Sequence, residues 1–424
     1  MTARRVVVTG LGMVTPLGVG VARNWEAMLA GESGVRLITR FDVSTMGVQI
    51  AGEVYPLPRV PEDDTGPDLG IHARFALVAA REAWADSGLA RGRVDPERVG
   101  VFIGSGKGIS DLDRLVEASK AALAAKGPFD YAAFARVLPR EISPAKREQE
   151  DYYQSGSHVA RAVGARGPNW VCITACAAGN HAVGEAFCAI RRGDADVILA
   201  GGTHSQVDIM SLSGYATLGA LSPRNDEPHR ASRPFDRKRD GFVLGEGGGV
   251  LVLEEYEHAR RRGAKLRAEV VGYGNTADCY RVTDPQPEGE RVELAMRLAL
   301  KSAGLAPGDI GYINAHGTST QQNDAMESGA IKRIFGGRGE APPVSSTKSM
   351  IGHLIAAAGA VEAIACVRAL VESVIPPTIN YEHNDPACDL DYVPNKPREA
   401  KVVHAMNNSF GFGGQNIVTI LKKL

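Results

Sequence analysis

The 424 residues are 44% hydrophobic and 23% charged with a formal net charge of −1, a globular profile that offers no global field to nucleic acid or an anionic membrane. The 49 glycines, against roughly 30 at ordinary usage, come with only 23 prolines and no Gly-X-Y period, which excludes collagen and low-complexity disorder. The length exceeds one ordinary core and predicts two core units or one large fused one.

The first strand is expected at Arg5–Thr9, ending in Gly10-Leu11-Gly12. Its basic approach imitates a signal peptide, but the apolar run is short and β-branched, as a buried strand is. Apolar residues at three- and four-residue spacing predict helices at Asn24–Ala30 and Ala73–Ser87, followed by a strand at Val99–Ile103. Ile109–Arg166 differs in character. Its charged clusters, its prolines (Pro128, Pro139, Pro144) and the polar run Lys146–Tyr153 read as a mostly helical elaboration covering a face or a partner surface. Next come the strand-like Trp170–Thr174, a helix at Ala177–Arg191, and strands at Val197–Gly201, Gly249–Leu253 and Ala268–Val271. Helix Arg291–Ala303, strand Tyr312–Ala315, helices Asp324–Phe335 and Leu354–Glu372, and strand Asn416–Leu421 complete the chain. The Ala-rich run Leu354–Leu370 is interrupted by Glu362 and Arg368, so it reads as a buried helix rather than a membrane span.

This alternation predicts an α/β protein with parallel sheets. A weak symmetry links the halves. Arg5-Val-Val-Val-Thr-Gly has a counterpart in Leu266-Arg-Ala-Glu-Val-Val-Gly, each reading as a strand and turn. Trp170–Cys176, leading into an Ala/Gly-rich helix, has one in Pro343–Lys348 leading into Gly352–Gly359. Spacing alone does not decide whether the chain is duplicated; Glu254–Arg267 would be the junction.

The glycine motifs read best as tight turns after buried strands. Gly10-Leu-Gly12 lacks the third glycine and the later acidic residue of a dinucleotide site, and Gly104-Ser-Gly-Lys-Gly108 has the wrong spacing for a P-loop. The six cysteines (Cys172, Cys176, Cys188, Cys279, Cys366, Cys388) form no CxxC pair, which favours reduced thiols in a cytoplasm-like compartment. Cys176 opens a helix among small residues. A thiolate there is stabilised by unpaired N–H groups, which also suit an oxyanion; a buried structural cysteine is the alternative. His316, in Asn314-Ala-His-Gly-Thr-Ser-Thr320, and His353, ending Ser345–His353, occupy a strand end and a helix start, where ligands gather in open α/β sheets. No carboxylate or further histidine accompanies them at metal-ligand spacing. Gly411-Phe412-Gly413-Gly414 reads as a mobile loop offering backbone N–H groups and a gate, or as an ordinary turn.

Taken together, Arg5–Met13, Thr174-Ala-Cys176, Asp194–Gly202, Arg233–Gly247, Asn314–Thr320, Ser346–His353 and Asn408–Gly414 resemble the β-ketoacyl-acyl-carrier-protein synthases nearly end to end. The resemblance is nearest the elongating synthase II form of type II fatty-acid synthesis, with type II polyketide ketosynthases close behind. It implies an α/β thiolase fold, five-layered αβαβα with two pseudo-equivalent halves. The first half, 1–257, would carry the nucleophile and an elaboration at about 109–166, and the second, 258–424, both histidines and the gating loop. Cys176 would accept the acyl chain. His316 and His353 would bind the malonyl thioester carbonyl, and Lys348, partnered by Glu327, would organise them. Oxyanion donors would be the N–H groups of Cys176 and Phe412, with Phe412 as gate. Thr318, Thr320, Phe410, Gly411 and Gly413 fall at substrate-binding positions. The resemblance also implies an acyl-carrier partner docked near Arg224 and Arg74, a homodimer or a heterodimer with a ketosynthase-like chain, a cytoplasmic location, and no metal or redox cofactor. The competing readings are a specialised polyketide or polyene ketosynthase subunit working in a heterodimer, a non-catalytic chain-length partner, and a thiolase-like hydrolase or degradative enzyme.

Departures concern the substrate. Glu62-Asp63-Asp64 and Asp68 stand where a basic docking stretch is expected, leaving His72 and Arg74 as compensation, and Ser110–Arg166 lacks the usual pattern. Gln321, Gln322 and Gln415 are smaller departures.

Overall fold

The computed structural model describes residues 4–61, 69–90, 93–106, 112–123, 128–137 and 151–424. The acidic stretch 62–68, Lys107, Gly108 and positions 138–150 of the elaboration lie outside them. Its main strands are β1 (Val6–Thr15), β2 (Val99–Ser105), β3 (Asn169–Cys172), β4 (Val197–His204), β5 (Gly247–Glu255), β6 (Ala268–Ala277), β7 (Tyr312–Asn314), β8 (Val344–Ser345), β9 (His404–Gly411) and β10 (Gln415–Lys423). With the short Gly18–Val19 folded back on β1, they form one 11-stranded sheet in the order β8-β7-β9-β10-β6-β1-β5-β4-β2-β3.

That order contains one pattern twice. From the outer edge inward, β3-β2-β4-β5-β1 repeats as β8-β7-β9-β10-β6. In both copies the outer three strands are parallel and the inner two run antiparallel to their neighbours. The expectation of parallel sheets is thus corrected: the sheet is mixed. β9 and β10 are joined by a tight turn, and a hairpin connection permits only antiparallel pairing.

The helices used below are α1 (Val21–Ala30), α2 (Ile71–Asp86), α3 (Gln154–Val163), α4 (Ala178–Arg192), α5 (Ile209–Thr217), α6 (Glu290–Ala303), α7 (Gln321–Phe335) and α8 (Ala358–Glu372). α2 and α3 cover the outer face of the first half-sheet, and α6 with α7 covers that of the second. Between the half-sheets lie α4 and α8, which pack on each other. The result is five layers, αβαβα.

Several glycines taken as turns lie inside strands. At Gly10 and Gly12 of β1, an added Cβ would overlap the carbonyls of Ala83 and Ala79 on α2. At Gly272 and Gly274 of β6, one would run into the carbonyls of Ala299 and Ala295 on α6. Each pair faces carbonyls one helical turn apart, so both halves seat the outer helix on bare backbone. Glycine costs entropy in a strand, and this close approach is its compensation.

Helix α8 is buried along nearly all of its length, with only Arg368, Val371 and Glu372 reaching solvent, which explains its Ala-rich composition. The single helix expected at Leu354–Glu372 is divided: Ile355–Ala357 forms a separate 3-10 turn. β9, absent from the sequence reading, carries Asn407, Asn408 and Ser409, an uncommon run for a buried strand. Helix α3 and the helices Leu112–Leu123 and Tyr131–Val137 agree with a helical elaboration over its described part.

Gly12→Ala should destabilise the protein by about 3 kcal/mol or more, because backbone must move. Gly47→Ala, where an added methyl meets nothing within 4 Å, should change stability by less than about 0.5 kcal/mol. Denaturant titration of both variants would reject the close-packing account if they behaved alike.

Candidate active site

Cys176 sits in a 3-10 turn, Ala175–Ala177, between β3 and α4. Ala175 has φ of +46°, a left-handed conformation that costs a non-glycine residue roughly 1–3 kcal/mol. The bend aims a buried thiol at the junction of the two halves. Burial pushes this thiol up to about 11; the backbone N–H groups of Phe412 and Cys176 and the charge of Lys348 act in the opposite direction. Both N–H groups expected as oxyanion donors therefore favour the same thiolate. Phe412 lies in the turn between β9 and β10, where Gly414 N–H donates to Gly411 O at 3.0 Å and Gly413 N–H to Val282 O at 2.7 Å. Of the two readings of this stretch, mobile loop or ordinary turn, the structure has a hairpin turn, with φ of +85° and +80° at Gly413 and Gly414.

His316 follows β7, and His353 precedes the 3-10 turn Ile355–Ala357. Their ring centroids are 5.3 Å apart at 82°. His316 also meets Phe410 edge-on at 5.5 Å, and His353 meets Phe242 at 5.4 Å. Burial first and Lys348 second hold both imidazoles well below the usual histidine range, so both are neutral near pH 7. The N–H of Ile355 donates to His353 Nδ1 at 3.3 Å. That bond places the ring's own proton on Nε2, which has no partner among the described residues.

Lys348 is fully buried. Its partner is Glu362 of α8, not Glu327 as expected. Glu327 instead accepts the main-chain N–H groups of His316 at 2.9 Å and Gly317 at 2.8 Å, and the amide of Asn408 at 3.1 Å. Glu327 is thus a backbone anchor for one histidine, and burial pushes its carboxyl up to about 7. The sequence reading treated Glu362 as an interruption of an apolar run. A carboxylate inside a buried helix requires a partner, and that was the available signal.

Thr318 and Thr320 hydrogen-bond each other through their hydroxyls at 2.9 Å. The Arg233–Asp240 segment secures their loop: Arg239 donates to Thr320 O at 3.1 Å and Gln321 O at 3.2 Å, while Phe235 N–H donates to Asp324 at 2.8 Å. The purpose of that charged motif is invisible until the fold places it against residues some eighty positions later. Cys176, His316, His353, Thr318, Thr320, Phe410, Gly411 and Phe412 all line one cavity of about 290 Å³, with Asp240, Asp278, Gln321 and Gln322 among its other walls. Gly413 is exposed beyond it.

The expected docking residues are dispersed. Arg224 bonds Asp240 at 2.8 Å and so stands beside the cavity. Arg74 lies on α2 and donates to Pro58 O at 3.3 Å, away from the cavity walls. His72 is corrected as a docking cation: it is 1% exposed, and burial lowers it to about 4, leaving it uncharged.

A buried cysteine on a strained elbow, facing two neutral imidazoles across a duplicated five-layered α/β frame, defines a condensing acyltransferase of the thiolase fold. Residues 3–259 match the model of the β-ketoacyl synthase N-terminal domain, and residues 267–382 that of the C-terminal domain. The chain is 44% identical to 3-oxoacyl-[acyl-carrier-protein] synthase 2 of Coxiella burnetii, covering all of both chains. It is 42% identical to the Synechocystis protein of that name over 99% of this chain and 98% of that one. Among solved structures, it resembles a type II polyketide ketosynthase in complex with its acyl-carrier protein, bound to the hexaketide (TM-score 0.87, 36% identity, full coverage of both chains). The ishigamide ketosynthase/chain length factor gives the same TM-score, identity and coverage. The chain belongs to the β-ketoacyl synthase family. Among the described residues, no helix is long and apolar enough to cross a membrane.

Because Lys348 favours the thiolate and balances Glu362, Lys348→Met should raise the Cys176 pKa. At pH 8 iodoacetamide should then modify Cys176 several-fold more slowly, with the rate profile displaced to higher pH. Peptide mass spectrometry separates this signal from exposed Cys279; an unchanged or faster rate at Cys176 would contradict the electrostatic account.

Proposed function

We propose that the protein is a 3-oxoacyl-acyl-carrier-protein synthase that condenses an acyl-Cys176 intermediate with a malonyl thioester. The observation that carries this reading is the convergence of Cys176, His316 and His353 on one cavity, where the backbone N–H groups of Phe412 and Cys176 favour the thiolate. Cys176 Sγ attacks the acyl thioester of the carrier, and the pantetheine thiol leaves with the proton. The malonyl thioester then enters, and the imidazole N–H groups donate to its carbonyl oxygen. Loss of carbon dioxide leaves an enolate whose charge those donors stabilise. Its carbon attacks the Cys176 thioester carbonyl, the N–H groups of Cys176 and Phe412 hold the resulting oxyanion, and collapse returns the thiolate with a 3-oxoacyl product. Decarboxylation supplies the carbanion, so the reaction requires no metal or redox cofactor.

Two neutral donors suit this step better than one strong base, because the developing charge lies on oxygen. Thr318 and Thr320, which line the cavity with both histidines, would meet the pantetheine arm. We read the chain as a half spanning 1–257 that carries the nucleophile and a half spanning 258–424 that carries the histidines, in keeping with the repeated strand order. The partner is an acyl-carrier protein. The enzyme works as a dimer, with itself or with a ketosynthase-like chain, and an intact nucleophile argues against a purely non-catalytic role.

Cys176→Ala should abolish acyl transfer, and condensation persisting in that variant would sink the assignment. Cys176→Gln should release carbon dioxide from malonyl-carrier without forming the 3-oxoacyl product. Intact-protein mass spectrometry after incubation with a panel of acyl-carriers identifies the acyl group that Cys176 accepts.

A further inference from the structure

Behind the elbow, on the flank away from the cavity, lies a polar cluster that the condensation does not use. Thr174 places Oγ1 3.2 Å from Nδ1 of His181, in the first turn of α4. The His181 ring stands edge-on to Trp170 of β3, with centroids 5.6 Å apart at 82°. Its Nε2 lies 3.5 Å from the Asn275 amide nitrogen of β6 and 3.8 Å from a carboxylate oxygen of Glu185. Tyr273 joins them, accepting from Asn275 at 3.3 Å and donating to Glu185 at 3.0 Å. Its ring rests on Gly184, where any side chain would overlap it.

Burial lowers the His181 pKa, so the ring is neutral near pH 7 and carries a single N–H. Asn275 donates to Nε2, which leaves the proton on Nδ1, directed at Thr174 Oγ1. Thr174 is thereby fixed at the joint of the site. Its carbonyl accepts the N–H of Ala177 at 3.0 Å, and the next residue is the strained Ala175. Gly411, which leads into the Phe412 turn, packs on the same carbonyl: a Cβ there would lie 2.8 Å from it and 3.2 Å from the Cys176 nitrogen.

We propose that His181, acting through Thr174, is a positioning residue for the nucleophile, holding the Ala175 bend so that Cys176 Sγ and the Phe412 N–H stay in register. The proposal rests on Cys176 being the acyl acceptor. Asparagine places an N–H near the Nδ1 position, whereas glutamine, closer to histidine in volume, places one near Nε2. His181→Ala, His181→Gln and Thr174→Val should therefore slow single-turnover acylation of Cys176 and lower kcat by about tenfold or more, as a displaced nucleophile does. KM for the acyl-carrier should stay within about twofold of the wild-type value. His181→Asn and Thr174→Ser should recover most of the rate. Acylation at the wild-type rate in His181→Ala, or better recovery by Gln than by Asn, would overturn the proposal in favour of simple packing. If the His181 variants fail to fold, the Val and Ser variants at Thr174 decide it, equal rates in the two counting against the proposal. If the wild-type enzyme itself takes no acyl group on Cys176, it is the functional reading that fails.

Discussion

The site depends on how closely two helices approach at the centre of the molecule. Gly179, near the start of α4, lies against the backbone at Ala356 and Ala360; Gly359, near the start of α8, lies against Asn180. A side chain at either position would separate the half-sheets and, with them, the two parts of the site. Cys176 comes from the strand-to-helix turn before α4, Lys348 and His353 come from the segment that leads to α8, and Glu362 comes from α8 itself. Glycine costs about 1 kcal/mol within a helix. Here that loss is offset by contact between two backbones, and the contact sets the distance over which the chemistry operates.

This closeness has an electrostatic consequence. Removing water from the junction raises the thiol and lowers both imidazoles, so burial alone would leave a neutral, weakly nucleophilic centre. Lys348 restores part of the thiolate's stability and reinforces the neutrality of the histidines. A buried lysine needs a counter-charge, and Glu362 supplies it from the same central helix. The lysine of this pair therefore favours an anion at sulfur and disfavours a protonated cation at either ring, while Glu362 opposes it at the thiol.

The residues that meet at the cavity were legible in the sequence because each lies in a local pattern with a physical reason: Cys176 at a helix start, His316 at a strand end, Phe412 among glycines. What was not legible were pairings made only by the fold. Lys348 pairs with Glu362 and not with Glu327, and only the position of α8 decides it. Gly10 and Gly12 looked like turn residues because a glycine's need for space depends on an element seventy residues away. β9 was missed because its central Asn407 and Asn408 mimic a loop, although their amides are committed to Gly359 O and Glu327. His72, a plausible surface cation by sequence, is a neutral interior residue.

The two halves use the same backbone device for different ends. Ala175 and Ile355 occupy matching places, each one residue into the turn that precedes a central helix, with φ of +46° and +43°. In the first half the bend presents a thiol one residue later. In the second, the corresponding position is Ala356, and the polar group has moved ahead of the bend, to His353, whose Nδ1 is satisfied by the N–H of the strained residue itself. The strain thus fixes a thiol on one side and a proton's location on the other. A symmetric frame would place two like groups face to face across the junction. Offsetting one group by three residues puts the thiol and the imidazole at different places on the wall of one cavity.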